Sequence, residues 1–204
     1  MSEYIDTKEV AKLIRKALKE SFPAYKFSVR LERYAGGSSI TVSWTDGPTV
    51  NQVEQVAGVF EGSYFDGMID YQGSRYHKLD GERVHFGSDY IHCYRSHTDG
   101  AICSAIIKAA MEYGTKNLPT VEDFKQGYCL SSGPMSDDHE TFWSWSNIIH
   151  RTMEGGDQHG DAFEEPEIEP QPSKTLARVE FDGSDAYQCS QTSMAINDVK
   201  GPVQ

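Results

Sequence analysis

The sequence predicts an α+β protein: an antiparallel sheet built on one β-hairpin and covered by helices, followed by a C-terminal helix and an acidic tail. Three observations carry this expectation. Residues 26–44, KFSVRLERYAGGSSITVSW, alternate apolar and polar on either side of a Gly-Gly pair. That alternation gives each strand one oily face and one wet face, and paired glycines suit the positive φ angles of a tight turn. The flanking segments carry apolar residues at helical spacing, as helices covering the oily face would. Beyond residue 155 the chain turns acidic and proline-rich.

Taken in order, a first helix is expected over Ile5–Ser21. Asp6 or Thr7 caps it, with Glu9 placed for a capping box, and Pro23 stops it. Val10, Leu13, Ile14, Ala17 and Leu18 form its apolar stripe. Its other side carries Lys8, Lys12, Arg15 and Lys19, a basic ridge extended by Lys26, Arg30 and Arg33. With Gly36-Gly37 as the hairpin turn, Leu31 lies opposite Val42 and Val29 opposite Trp44. Asp46-Gly47-Pro48 is a second turn, and Thr49 with Gln52 a second capping box. Val50, Val53, Val56, Ala57 and Phe60 mark a second helix that stops near Gly62.

Residues 65–71, FDGMIDY, read either as a strand or as an ordered loop presenting Asp66 and Asp70. Residues 72–83 read as an exposed polar loop. Strands are expected at Val84–Phe86 and Tyr90–Arg95, and a third helix from Asp99 to Gly114. The order to this point is helix, strand, strand, helix, strand, strand, helix. Thr120–Gln126 reads as a short helix. A fourth long helix is expected from Asp137 and Glu140 to about Met153, with Phe142, Trp145, Ile148 and Ile149 as its stripe and Trp143 to one side. Thr175–Phe181 reads as a lone strand or as a motif that adds to a partner's sheet edge. The expected organisation is an α+β domain over residues 1–114, a helical extension over 115–154 and a largely disordered acidic tail over 155–204.

Composition supports that division. Of 204 residues 38% are hydrophobic, few for a chain packed throughout. The net charge is −12, and it is unevenly placed: residues 1–113 hold 13 Lys and Arg against 15 Asp and Glu, residues 114–204 hold 6 against 16. A net negative field argues against non-specific attachment to nucleic acid while leaving room for a local basic face. No apolar run has the roughly 18 residues of a membrane span. The N-terminal MSEYIDTKEV carries acids where a signal peptide is basic and then apolar, so the expected location is the cytosol. Cys93, Cys103, Cys129 and Cys189 form no short-spaced framework and read as free thiols.

The residues DTKEVAKLIRKALKESFP, KFSVR, GGSSITVSWTDGPT and FEGSYFDGMID, in that order, resemble the large polyvalent protein-associated domain 29. The resemblance covers about residues 5–114 and is most specific from Gly36 to Pro48. It implies a phage or conjugative-element setting, a small α+β domain and no established enzymatic activity. Polyvalent proteins are thought to enter a recipient cell with the DNA or to act soon after, and some of their domains counter host defences. The family supplies no catalytic residues to carry over.

Candidate chemistry is thin. His92, Cys93, His97 and Cys103 are the densest set of metal-type ligands, but adjacent strand residues face opposite ways, and Cys103 sits among apolar neighbours in a helix. A buried thiol and two surface imidazoles explain the set better. Asp137, Asp138, His139 and Glu140 suit a helix start, and His139 and His150 are about three helical turns apart, too far to share an ion. Asp66, Asp70, His77 and Asp80 hold general acid/base groups without a pattern that fixes their geometry. Ser38 and Ser39 follow two glycines but lack the lysine and strand-to-helix context of a phosphate loop. Trp143 reads as core, or, if exposed, as a protein contact.

The expected function is a non-enzymatic accessory protein of a phage or conjugative element that binds a host or element-encoded protein and counters a host defence. No cofactor, metal or membrane is expected to take part. The alternative is a nucleic-acid-binding module using Lys8, Lys12, Arg15, Lys19, Arg30 and Arg33. A second alternative is a metal-dependent hydrolase or transferase at residues 66–80 or 92–97.

Overall fold

The computed structural model describes residues 2–114, 116, 118–130, 133, 144–154 and 168–184. A short strand β1 (Glu3–Ile5) leads into helix α1 (Thr7–Ser21). The Asp6 carboxylate accepts the Lys8 N–H and fixes the helix start. The helix expected from Ile5 therefore begins at Thr7, and Ile5 ends a strand instead. Glu9 pairs with Lys12 at 2.6 Å. Val10, Ile14, Ala17 and Leu18 are buried, as their spacing requires.

The hairpin forms from β2 (Ser28–Tyr34) and β3 (Gly37–Thr45), paired antiparallel. Its register differs from expectation: Val29 faces Val42 and Leu31 faces Ile40. The turn is Ala35-Gly36, with Gly36 at φ +102, and Gly37 is already in the strand opposite Tyr34. Gly37 is required there for another reason. A Cβ on it would lie 1.9 Å from the Asp89 carboxylate, which accepts the neighbouring Ser38 N–H at 3.0 Å. The slip is an even one, so the same residues stay inward: Val29, Ile40, Val42 and Trp44 are all buried.

Helix α2 (Val50–Ala57) follows, opened by the expected Thr49–Gln52 capping box and continued by one 3-10 turn to Phe60. Next come β4 (Ser63–Asp66), β5 (Tyr71–Leu79), β6 (Glu82–Phe86) and β7 (Tyr90–Ser96). The expected polar loop at 72–83 is a second hairpin. Asp80-Gly81, both at positive φ, turns β5 into β6. The sheets are mixed, not purely antiparallel. β7 joins β3 in parallel to give the order β2-β3-β7, and β1 joins β6 in parallel to give β1-β6-β5-β4. Helices α1 and α2 pack on the inward face of the first sheet, and one apolar core unites them with Phe60, Val84 and Phe86.

A second core is helical. α3 (Asp99–Tyr113), capped by Thr98 and closed by left-handed Gly114, packs with α4 (Val121–Lys125) and α5 (Trp145–Glu154). Ile102, Ile106, Trp145, Ile148 and Ile149 are its centre. The expected fourth helix thus starts at Trp145, with Ser144 outside it; Asp137, Glu140, Phe142 and Trp143 lie outside the described residues. Arg95 links the two cores by donating to the Met153 carbonyl at 2.6 Å and to the Gly47 carbonyl at 2.7 Å. Finally β8 (Val179–Ser184) pairs antiparallel with β5. Among the described residues no helix is long and apolar enough to cross a membrane.

Two glycines near the 3-10 turn test this packing. A Cβ on Gly62 would lie 1.7 Å from the Phe86 carbonyl oxygen, whereas Gly58 has helical angles and nothing within 4 Å. Gly62→Ala is expected to lower unfolding free energy by about 2 kcal/mol or more. Gly58→Ala is expected to leave it unchanged or raise it by about 0.5 kcal/mol. Urea denaturation of both variants measures the contrast.

Candidate functional site

The acid/base candidates are not brought together. Asp70 precedes β5 and Asp80 follows it, and an extended strand of that length holds its ends about 30 Å apart. Asp80 is engaged by Arg178 in a two-point ion pair. His77 is buried between the rings of Phe86 and Phe181, at 5.0 and 5.6 Å. Burial, aided by the charge of Arg75, brings its imidazole down to about 4. Ser38 is also spoken for. Its hydroxyl and that of Thr7 both reach the Gly87 carbonyl, at 2.7 and 2.8 Å, and lie 2.7 Å from each other. These serve as a structural joint between the hairpin, the first helix and the second sheet.

The metal-type set separates in the same way. His92 is exposed on the outward face of β7, and Cys93 points inward. Burial, with Glu54 and Glu61 nearby, pushes the Cys93 thiol up to about 12. Cys103 is exposed, not buried as expected, because it lies on the solvent side of α3. Among the described residues, no group of three or more His, Cys, Asp and Glu is placed to hold a metal ion.

The basic ridge forms, but several of its members are occupied. Lys8, Lys12, Arg15, Lys19, Arg30 and Arg33 are all exposed. Lys12 pairs with Glu9, Arg15 donates to the Val29 carbonyl at 2.5 Å, and Arg33 grips the Asp6 carboxylate at 2.8 and 3.1 Å. The Lys8 N–H, then Arg33, hold that carboxyl below its ordinary range. Trp143 lies outside the described residues.

Two exposed surfaces are better organised than the ridge. The first is the outward face of the β2-β3-β7 sheet, turned away from α1 and α2. Register places Arg30, Thr41 and His92 in one row and Ser28, Ser43 and Tyr94 in the next. Tyr90, His92 and Tyr94 form a ring ladder with centroids 6.3 and 6.5 Å apart, and Tyr94 is 60% exposed. The second is the tip joining β4 to β5. Met68 is 91% exposed and Phe65 56%, with Ile69 and Tyr71 also exposed. Asp66 and Asp70 flank these apolar residues, and Asp66 accepts the Met68 N–H at 3.0 Å, fixing the turn. Both surfaces were missed in the sequence. The alternation Tyr90, His92, Tyr94 signals the first, and an apolar run broken by Asp66-Gly67 signals the second.

A polar cleft of about 340 Å³ lies at the hairpin turn, lined by Tyr4, Arg33, Gly36, Gly37, His85 and Asp89 among others. Asp89 organises it, accepting from Ser38 N–H, Ser63 Oγ and Tyr34 Oη.

Residues 5–98 match the family described as large polyvalent protein associated domain 29. The match begins at the end of β1 and stops after β7. It therefore holds the hairpin, the sheet face and the apolar tip, and it leaves out α3, which packs into the helical core instead. It associates this chain with phages and other mobile elements. No curated protein and no solved structure matches the chain.

The state of His77 yields a pH prediction. Its folded value, about 4, lies below the ordinary 6.5, so the unfolded chain binds the proton more readily. The stability it contributes is complete above pH 6.5 and is lost as pH falls towards 4, by about 3 kcal/mol. Urea midpoints between pH 7 and 4 are expected to fall in the wild type and to fall less in His77→Phe.

Proposed function

We propose that this protein is a non-enzymatic accessory factor of a phage or conjugative element, acting in the bacterial cytoplasm by binding another protein, and that its target is a component of host defence. The observation that carries the reading is the apolar β4–β5 tip. A methionine and a phenylalanine held in water by a hydrogen-bonded turn gain nothing for the fold. Large apolar side chains on a pre-ordered turn are what a protein interface uses as anchors. The two flanking carboxylates favour a partner pocket with a basic rim. The family match supports the mobile-element setting.

Tagged wild-type protein and the variant Phe65→Ser/Met68→Ser, each captured from a bacterial host, test this reading. The wild type is expected to retain a specific protein that the variant loses at least tenfold, at equal thermal midpoint. Equal recovery by both, or no partner in repeated captures, removes it.

The sheet face favours a second reading, binding of single-stranded nucleic acid. Successive aromatic rings on an open sheet offer stacking platforms for bases, and Arg30 with Thr41 and Ser43 offers phosphate contacts. On this reading the basic ridge of α1 is secondary. His92→Ala/Tyr94→Ala is expected to weaken an oligonucleotide complex at least tenfold in fluorescence anisotropy, and raising salt from 50 to 200 mM is expected to weaken it further. Binding indifferent to both changes excludes it.

A further inference from the structure

Residues 168–184 lie far beyond the family-matched segment, yet they complete its fold. Ile168, Leu176 and Val179 pack against the main core. Gln52 donates to the Ile168 carbonyl at 3.1 Å, and Gln171 N–H donates to the Ser21 carbonyl at 2.9 Å. The Glu20 carboxylate, at the last turn of α1, accepts both the Ser173 hydroxyl at 2.7 Å and the Thr175 N–H at 2.9 Å. Those contacts hold Glu20 below the ordinary carboxylate range. Arg178 then pairs with Asp80, and β8 adds to β5, where Asp182 meets Lys78 at 3.1 Å and Arg83 at 2.9 Å.

Taken without this segment, residues 5–98 present a built groove. It has carboxylates at Glu20 and Asp80, apolar core surface where Leu176 and Val179 pack, one edge of β5 from Leu79 to Arg75, and cations at Lys78 and Arg83 beside that edge. Main-chain pairing along an edge with pockets for alternate side chains is a general mode of peptide recognition. The occupant matches each part: a hydroxyl at Ser173 and a backbone N–H at Thr175 for the Glu20 carboxylate, apolar residues at Leu176 and Val179, a cation at Arg178, an anion at Asp182.

The geometry points to a strand-accepting peptide groove on the 5–98 unit, filled in cis by residues 168–184 and able to take in trans an extended segment of the same chemistry from another protein. The proposal rests on the protein-binding reading above but uses a different surface. The occupant belongs to the same chain as the unit it fills, so its binding is intramolecular and is favoured over a separate segment. A trans segment of equal intrinsic affinity is therefore held off until the cis segment is weakened. The groove is in this sense self-capped.

A fluorescein-labelled synthetic peptide of residues 166–184, titrated in fluorescence anisotropy, tests this on the full chain. The variant Leu176→Asp/Val179→Asp, whose cis segment no longer fits, is expected to bind the peptide at least tenfold more tightly than the wild type. Adding Glu20→Ala is expected to undo that gain, while adding Phe65→Ser/Met68→Ser leaves it, so the tip and the groove can fail separately. No binding by a variant that still melts cooperatively overturns the proposal. Should the variant not fold, a protease site placed between residues 160 and 161 of the wild type gives a second route. After cleavage the released 161–204 fragment is expected to exchange with labelled peptide, and failure to exchange over days overturns it. Exchange between copies to give a dimer that excludes the peptide would make a second copy the occupant, and would also overturn it.

Discussion

The inward face of the three-stranded sheet cannot be left to water. Val29, Ile40, Val42 and Trp44 are buried, and each apolar side chain of this size placed in a core is worth about 1.5–3 kcal/mol. A hairpin alone buries almost none of that area. The amphipathic stripes of α1 and α2 cover it, and Trp44 secures the cover at one end by donating its indole N–H to the Pro48 carbonyl at 2.9 Å. The short turn of residues 46–48 is thereby tied to the strand it leaves, and α2 is launched back across the sheet.

Covering one face fixes where the second sheet must go. The parallel partner of β3 is β7, and the chain between them returns through the whole β4–β6 meander. That meander is docked on the first sheet by polar contacts at one corner. Thr7, Ser38 and the Gly87 carbonyl meet there, beside Asp89. Two hydroxyls supply two protons for three close contacts, so one contact is always without its proton. The joint holds by shape and by shared acceptors, and Gly37 and Gly87 supply the room. This explains why the hairpin turn is rich in small residues although only Gly36 has the φ of a turn glycine.

The same corner shows why the sequence was only partly legible. Period-two alternation identified the inward residues of both hairpin strands. It could not tell Gly36 from Gly37, because the demand on Gly37 comes from Asp89, some fifty residues away in sequence. The slip of register is the result, and its even parity kept the faces right. Residues 72–83 read as a loop, with only Val84–Phe86 of this hairpin expected as strand. Gln72, Ser74, Arg75 and Lys78 make most of β5 polar, and its core contacts, buried His77 and partly buried Leu79, are too few to show as alternation. Asp80-Gly81 was a genuine hairpin signal there, and the lack of apolar alternation hid it. The helices α2, α3 and α4 were legible because their caps are local. Of the candidate surfaces, the basic ridge was visible from spacing alone, but its internal pairing with Glu9, Asp6 and the Val29 carbonyl was not. The sheet face and the apolar tip depend on what remains uncovered, which only the assembled fold decides.

What remains uncovered differs in kind between the surfaces. The tip is held by the Met68 N–H donating to the Asp66 carboxylate and by antiparallel pairing down to Asp66 opposite Tyr71. A partner meeting it has little chain entropy to remove, and interfaces gain most where that cost has already been met by the fold. β8 is the opposite case. It is placed by many polar contacts, with Phe181 left 65% exposed and Val179 turned inward. Exposed ion pairs such as Asp182 with Arg83 contribute little each, so they select the register of the strand more than its affinity. The apolar contacts of Leu176 and Val179 and the hydrogen bonds to Glu20 hold the segment, while the ion pairs along β8 fix which residues pair.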